Sequence, residues 1–265
     1  MKLEPDDHAA LVDAVTTLEN PGLAAQITNL IGKPIEYGVK KLPESVSRRI
    51  NQTTEAALRS SLHVAVSTMN NDRRANASNR IHKVLATLSG AIGGAFGLPA
   101  LAIELPVSTT IMLRSIADIA RSQGENIRSV GTQLACVEVF AFGSRSESDD
   151  GVETGYFATR AALAAALADA AIYIAEKGLT KEGAPAIVRL IAKIAVRFSI
   201  PVSEKFAAQS IPAIGAAGGA AINLIFINHF QDMARGHFTV RRLERKYDEK
   251  FIHEEYERIK QSSDA

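Results

Sequence analysis

Apolar residues along this chain recur at helical spacing and hardly ever alternate. Leu11, Val12, Val15 and Leu18 fall three and four apart, and "NPG" at Asn20 to Gly22 stops the run. A second pattern passes through Val46, Ile50, Ala57, Leu58, Leu62 and Ala65. It gives way to the polar stretch "NNDRRANASN", Asn70 to Asn79, the clearest linker in the sequence. Beyond it, "ELPVSTTIMLRSIADIARSQG" predicts a helix with Pro106 in its first turn and Gly124 at its stop. A helix over roughly Val130 to Phe142 precedes the loop "GSRSESDDG". In the next segment, Asp150 and Glu153 stand three apart before a long Ala-rich helix, the spacing of an N-cap and its capping box. The helix "APAIVRLIAKIAVRF" and a charged tail complete the series. No alternating runs bounded by turn signals occur, so the pattern predicts an all-α, multi-helix bundle.

Two apolar segments depart from ordinary amphipathic patterning. "SGAIGGAFG" and "PAIGAAGGAAIN" both set glycines four apart: Gly90 with Gly94, Gly93 with Gly97, and Gly215 with Gly219. Glycines at that spacing share a helix face and offer a groove to another backbone or an acyl chain, so the two segments predict two glycine-rich apolar helical hairpins. The segments lie in charge-free runs, Val84 to Ile103 and Phe206 to Asn228, each long enough to cross a bilayer. Each holds eight residues of the Leu, Ile, Val and Phe type, worth roughly −2.4 to −4.8 kcal/mol for insertion. Glycines, prolines, hydroxyls and, in the second run, amides offset that gain. Insertion is therefore near break-even, which fits buried core helices of a soluble protein or a reversibly inserting hairpin better than a permanent span.

Composition narrows the reading. Hydrophobic residues make up 46% but aromatics 6%, with no Trp, which favours closely packed helices over a β-sandwich. Thirty basic residues against 29 acidic ones give no field of the kind that nucleic-acid binders use, so nucleic acid is not an expected partner. The single cysteine, Cys136, lies in "LACVEVF" and reads as a small buried thiol. With the acidic, Pro-containing start "MKLEPDDHAA", it predicts a protein of the cytosol.

Several groups could carry chemistry or contacts. Arg189, Lys193 and Arg197 fall four apart beside Leu190, Ile191, Ile194 and Phe198, a basic amphipathic face suited to an anionic membrane surface or to a solvated bundle edge. Glu104, Arg114 and Asp118 precede the second glycine segment, and His229, Asp232 and Arg235 follow it. Pairing of Arg114 with Asp232, or of Arg235 with Asp118 or Glu104, would join the two halves through a polar cluster. His229 and Asp232 could alternatively face one metal ion, and Glu147, Asp149, Asp150 and Glu153 a hard cation, without the two-His spacing of strong zinc motifs. No strand-embedded G-x-S-x-G and no phosphate loop is present. No cofactor is expected.

Three blocks, "SGAIGGAFGLPALAIELPVSTTIMLRSIADIARSQGENI", "EVFAFGSRSESDDGVETGYFATRAAL" and "IPAIGAAGGAAINLIFINHFQDMARGHFTVRRLERKY", resemble the EcsC protein family of bacteria. They cover roughly residues 81–247 in the family's order. The resemblance implies one domain holding both glycine segments, the Ser144 to Asp150 loop and the His229 to His237 stretch. It also implies a link to membrane transport, the family being named for a protein encoded beside an ABC transporter, and it assigns no catalytic residue. The expected organisation is an N-terminal helical region and linker over 1–79, the EcsC-like domain over 80–247 and a charged tail over 248–265. The expected function is that of a non-enzymatic peripheral protein on the inner face of the membrane, its partner lipid or a membrane-protein helix. The alternatives are a metal-dependent hydrolase using the acidic loop or His229 and Asp232, and a soluble interaction scaffold.

Overall fold

The structure is a computed structural model that describes residues 2–20, 22–32, 34–68, 98–144, 155–178, 184–211 and 215–263. Within them the chain is an all-α bundle: α1 (Pro5–Glu19), α2 (Leu23–Ile31), α3 (Ile35–Lys40), α4 (Glu44–Thr68), α5 (Leu98–Ser122), α6 (Val130–Glu138) with a 3-10 turn (Val139–Ala141), α7 (Tyr156–Lys177), α8 (Pro185–Gln209), α9 (Gly215–Lys246) and α10 (Glu249–Ser263). No strand occurs among the described residues.

Local sequence explains the helix limits. Pro5 sits in the first turn of α1, with Asp6 and Asp7 beside the amide-rich helix start. Leu11, Ala14, Val15 and Leu18 form its buried stripe. Gly124, at φ +80°, closes the exit from α5 as its position predicts. Two expectations fail. Pro106 lies inside α5, whose start is Leu98, and the hydroxyls of Ser108 and Thr109 bond to the Leu105 carbonyl while that of Thr110 bonds to the Pro106 carbonyl. The proline removes the N–H that the Ala102 carbonyl would accept, a local cost the helix absorbs, while the hydroxyls bond back to carbonyls of their own helix. The capping position of α7 is Gly155, not Asp150, so the helix starts beyond the acidic loop. Asp150 and Glu153 lie outside the described residues.

The long helix α9 is the axis of the bundle, packing against α1, α2, α5, α8 and α10. α4 lies on α5, α6 and α8, while α7 sits outermost on α6 and α8. Phe140, Phe198, Phe226 and Phe230 meet at the centre with ring centroids 4.8–6.1 Å apart. Where α1 crosses α9, the backbone of Gly236 takes Leu18: a Cβ there would stand 2.7 Å from Leu18 Cγ. The first four helices thus share one core with the rest.

Three helix ends meet at one end of this bundle. Lys205, near the end of α8, donates to Glu104 of α5 and to Oδ1 of Asn223 of α9. At about 1.5 Å per residue, the start of α5, the end of α8 and the start of α9 lie about 9, 6 and 12 Å beyond that cluster. α3 crosses the same level, Gly38 facing Ala207. The charge-free run of residues 206–228 is thereby divided, α8 stopping at Gln209 and α9 beginning at Gly215, and does not form one continuous span.

Candidate functional site

The end where α5, α8 and α9 meet combines a buried charge cluster with exposed apolar side chains. Lys205 is fully buried, and its ammonium lies 4.8 Å from the centre of the Phe226 ring. Taking Lys205 and Glu104 out of water is tolerable only because each charge has the other, with Asn223 accepting a second proton at 2.7 Å. Neighbouring positions point outward: Ile103 is 73% exposed and Leu224 56%, and Val107 is exposed one turn beyond Ile103. On α3, Tyr37 is 64% exposed with the Lys41 ammonium 4.2 Å above its ring. Glu204, beside this cluster on α8, has its carboxyl pushed up to about 7 by burial, with help from the charge of Glu36.

The described part of the second glycine segment belongs to this end. Gly90, Gly93, Gly94 and Gly97 lie outside the described residues. Gly215 opens α9 and Gly219 follows one turn later. Among the described residues, nothing stands within 4 Å of the place a Cβ would occupy on Gly219.

The expected polar cluster is not built as its sequence suggested. Arg114 is exposed, Asp232 takes Arg235 of its own helix at 2.5 Å, and Asp118 takes Arg121 at 3.0 Å. Partners three positions apart on an exposed face meet without any help from tertiary packing, whereas buried Glu104 needs a buried cation and finds Lys205. His229 and Asp232 do not share an ion site either: the imidazole is buried against Phe230 and the Gly143 turn, and the carboxylate is bound to Arg235. No group of three metal-ligating side chains forms among the described residues, and Asp149, like Glu147, Asp150 and Glu153, lies outside them. The basic row of α8 faces α7: Arg189 pairs with Asp169 at 3.2 Å, Lys193 donates to the Ala162 carbonyl at 2.9 Å, and Arg197 is half-buried.

A second buried polar network surrounds α9 near its charged end. Arg160 forms a two-pronged pair with Glu244 at 2.6 and 3.2 Å and reaches the Tyr156 oxygen at 3.4 Å. Tyr156 and Nδ1 of His237 share a hydrogen bond of 2.9 Å. With Arg160 donating to the phenol oxygen, the phenol proton goes to Nδ1 and the imidazole proton sits on Nε2, 3.9 Å from Glu138 Oε2. Burial and the nearby Arg160 and Arg241 hold His237 well below its usual range. Burial likewise pushes Glu138 up to about 7, against the pull of Arg160 and Arg241. His229 is held down at about 4 by burial, with Nε2 against Gly143, whose φ is +78°. Cys136 is buried as expected, its thiol pushed up to about 12 by burial.

Sequence reasoning missed Lys205, Glu138, Tyr156, Arg160 and Glu244 as functional or structural partners. The available signal was a lone charge inside an apolar run, as in "LACVEVF", which must find a buried partner or lose its charge. Their partners lie 18–101 positions away and follow from packing alone.

No curated protein and no solved structure matches this chain. The family model described as "EcsC protein family" matches residues 14–243, reaching from α1 to the last turn of α9. The chain therefore belongs to the EcsC protein family.

Proposed function

We propose that this protein is a non-enzymatic peripheral membrane protein of the cytosolic face, binding lipid through the end where α5, α8 and α9 meet. One observation supports the reading: the described parts of the two charge-free runs, residues 98–103 on α5 and 218–228 on α9, far apart in sequence, meet at one end of the bundle around Lys205, Glu104 and Asn223, with Ile103 and Leu224 exposed there. Two marginal insertion segments acting side by side add their apolar transfer energies, which makes contact favourable where either alone is near break-even. A role beside a membrane transport system fits such a placement.

A second reading rests on α7. It is the one described helix long and apolar enough to cross a membrane, yet only 28% of that window is buried. Ala161, Ala165, Ala168 and Ile172 line its exposed side, a smooth surface on which a membrane-protein helix could pack.

Flotation of the full-length protein with phospholipid vesicles at low salt tests the proposal. Recovery in the vesicle fraction is expected, while protein remaining at the bottom of the gradient would contradict it.

A further inference from the structure

The last helix, α10, lies beyond residues 14–243 that the family model matches, and it covers the second buried polar network from outside. Asp248 starts it by accepting from the Phe251 amide at 3.0 Å, so the chain turns back within two residues of the end of α9. Of the fifteen residues of α10, Ile252 and Tyr256 are fully buried, one turn apart, and Lys260 continues their stripe. The Tyr256 ring stacks on Tyr156 with centroids 5.6 Å apart and meets Phe157 edge-on at 4.9 Å, while His253 lies 4.1 Å from Phe157. Tyr156, the partner of His237, therefore stands between α10 and the network. The bonds of Arg160 with Glu244 and of Tyr156 with His237 run between α7 and α9 and do not pass through α10.

One carboxylate fastens this cover. Glu19, the last residue of α1, accepts from the Tyr256 hydroxyl at 2.8 Å, from the Lys260 ammonium at 3.1 Å and from the Tyr156 amide at 3.1 Å. The third bond satisfies one of the orphan amides at the start of α7, where Gly155 supplies no side-chain cap. Gly155 has an extended backbone that any residue adopts, and its bareness leaves room for the catch: a Cβ there would stand 2.8 Å from Lys260 Nζ and 3.2 Å from Glu19 Oε2.

We infer that α10 is a strap that lifts off α1 and α7 as one unit, with Glu19 as its catch, and that its release uncovers Tyr156 and Phe157 while the bundle beneath stays folded. Elements with few buried apolar side chains open locally at a lower free energy than the whole molecule. Two buried side chains and a catch that is partly open to water make α10 such an element, whereas α9 is packed by five helices. Closed, the strap hides an aromatic face and the histidine behind it. Open, it exposes both without breaking the bonds that join α7 to α9.

Hydrogen exchange of the full-length protein at neutral pH, read by mass spectrometry, tests the strap. In the parent, amides of α10 should exchange about tenfold faster than those over residues 226–243 of α9. Lys260→Glu sets two carboxylates against each other at the catch, and should speed exchange of α10 and of the first two turns of α7 together, each about tenfold, with α5 and α8 unchanged. Tyr256→Phe removes one bond to Glu19 while keeping the ring, and should act in the same direction by about fivefold. Lys250→Glu, the same charge reversal on the exposed side of α10, should leave both regions as in the parent.

α10 exchanging at the rate of α9, or Lys260→Glu speeding every helix alike, would make α10 a part of the core and overturn the strap. Faster exchange confined to α10, with the start of α7 still protected, would mean fraying that uncovers nothing, and would overturn it equally. Should Lys260→Glu fail to fold, the ratio of α10 to α9 exchange in the parent and the response to Tyr256→Phe still decide.

Discussion

Glu138 and His229 make opposite contributions to stability against pH. Glu138 is raised from the ordinary 4.5 to about 7, so its contribution is complete below pH 4.5 and is lost as pH rises through 7, about 3 kcal/mol at most. His229 is lowered from 6.5 to about 4, so its contribution is complete above pH 6.5 and is lost as pH falls through 4, again about 3 kcal/mol at most. His237 acts in the same direction as His229. Thermal melts across pH 4–9 should therefore show Glu138→Gln gaining on the parent at pH 8 and little at pH 4.5. His229→Gln should flatten the acid limb. Gly143→Ala should lose about 2–4 kcal/mol in denaturant unfolding, because φ is +78° and the new Cβ would stand 2.5 Å from His229 Nε2.

Helix crossings and helix ends carry the next set of consequences. Lys205→Met would leave Glu104 buried without its cation, and urea unfolding should show a loss of about 3–5 kcal/mol. Glu104→Leu combined with Lys205→Met should recover most of that loss, since no charge is then left buried. Gly236→Ala should cost about 1–3 kcal/mol at the α1–α9 crossing, whereas Gly219→Ala should be neutral or stabilise by up to about 1 kcal/mol. A loss at Gly219 would mean that its bare face is occupied. These contrasts also mark what the sequence could convey. The end of α1 and the exit from α5 were legible because "NPG" and Gly124 act locally. Pro106 was misplaced because the helix runs through it, with nearby hydroxyls bonding to carbonyls one turn back. Partners were illegible for Glu104 and His237, since Lys205 and Tyr156 reach them only through tertiary packing.

At the level of the molecule, the family and the all-α class were both readable from sequence, the first from three ordered blocks and the second from unbroken helical periodicity. The meeting of α5, α8 and α9 at one end was not, because it depends on a single buried lysine joining three helices. That junction gives the bundle a polarity: exposed Tyr37, Ile103 and Leu224 at one end, and the charged α10 packed on α1 and α9 towards the other. The central claim is that the first of these ends enters the lipid surface. Cys136 is buried and its thiol resists ionisation, so an introduced surface cysteine can be labelled selectively. An environment-sensitive fluorophore placed by Leu224→Cys should shift to the blue when phospholipid vesicles are added, while the same label placed by Ile172→Cys should not move. A shift confined to the Ile172 position, or no shift at either, would contradict the account.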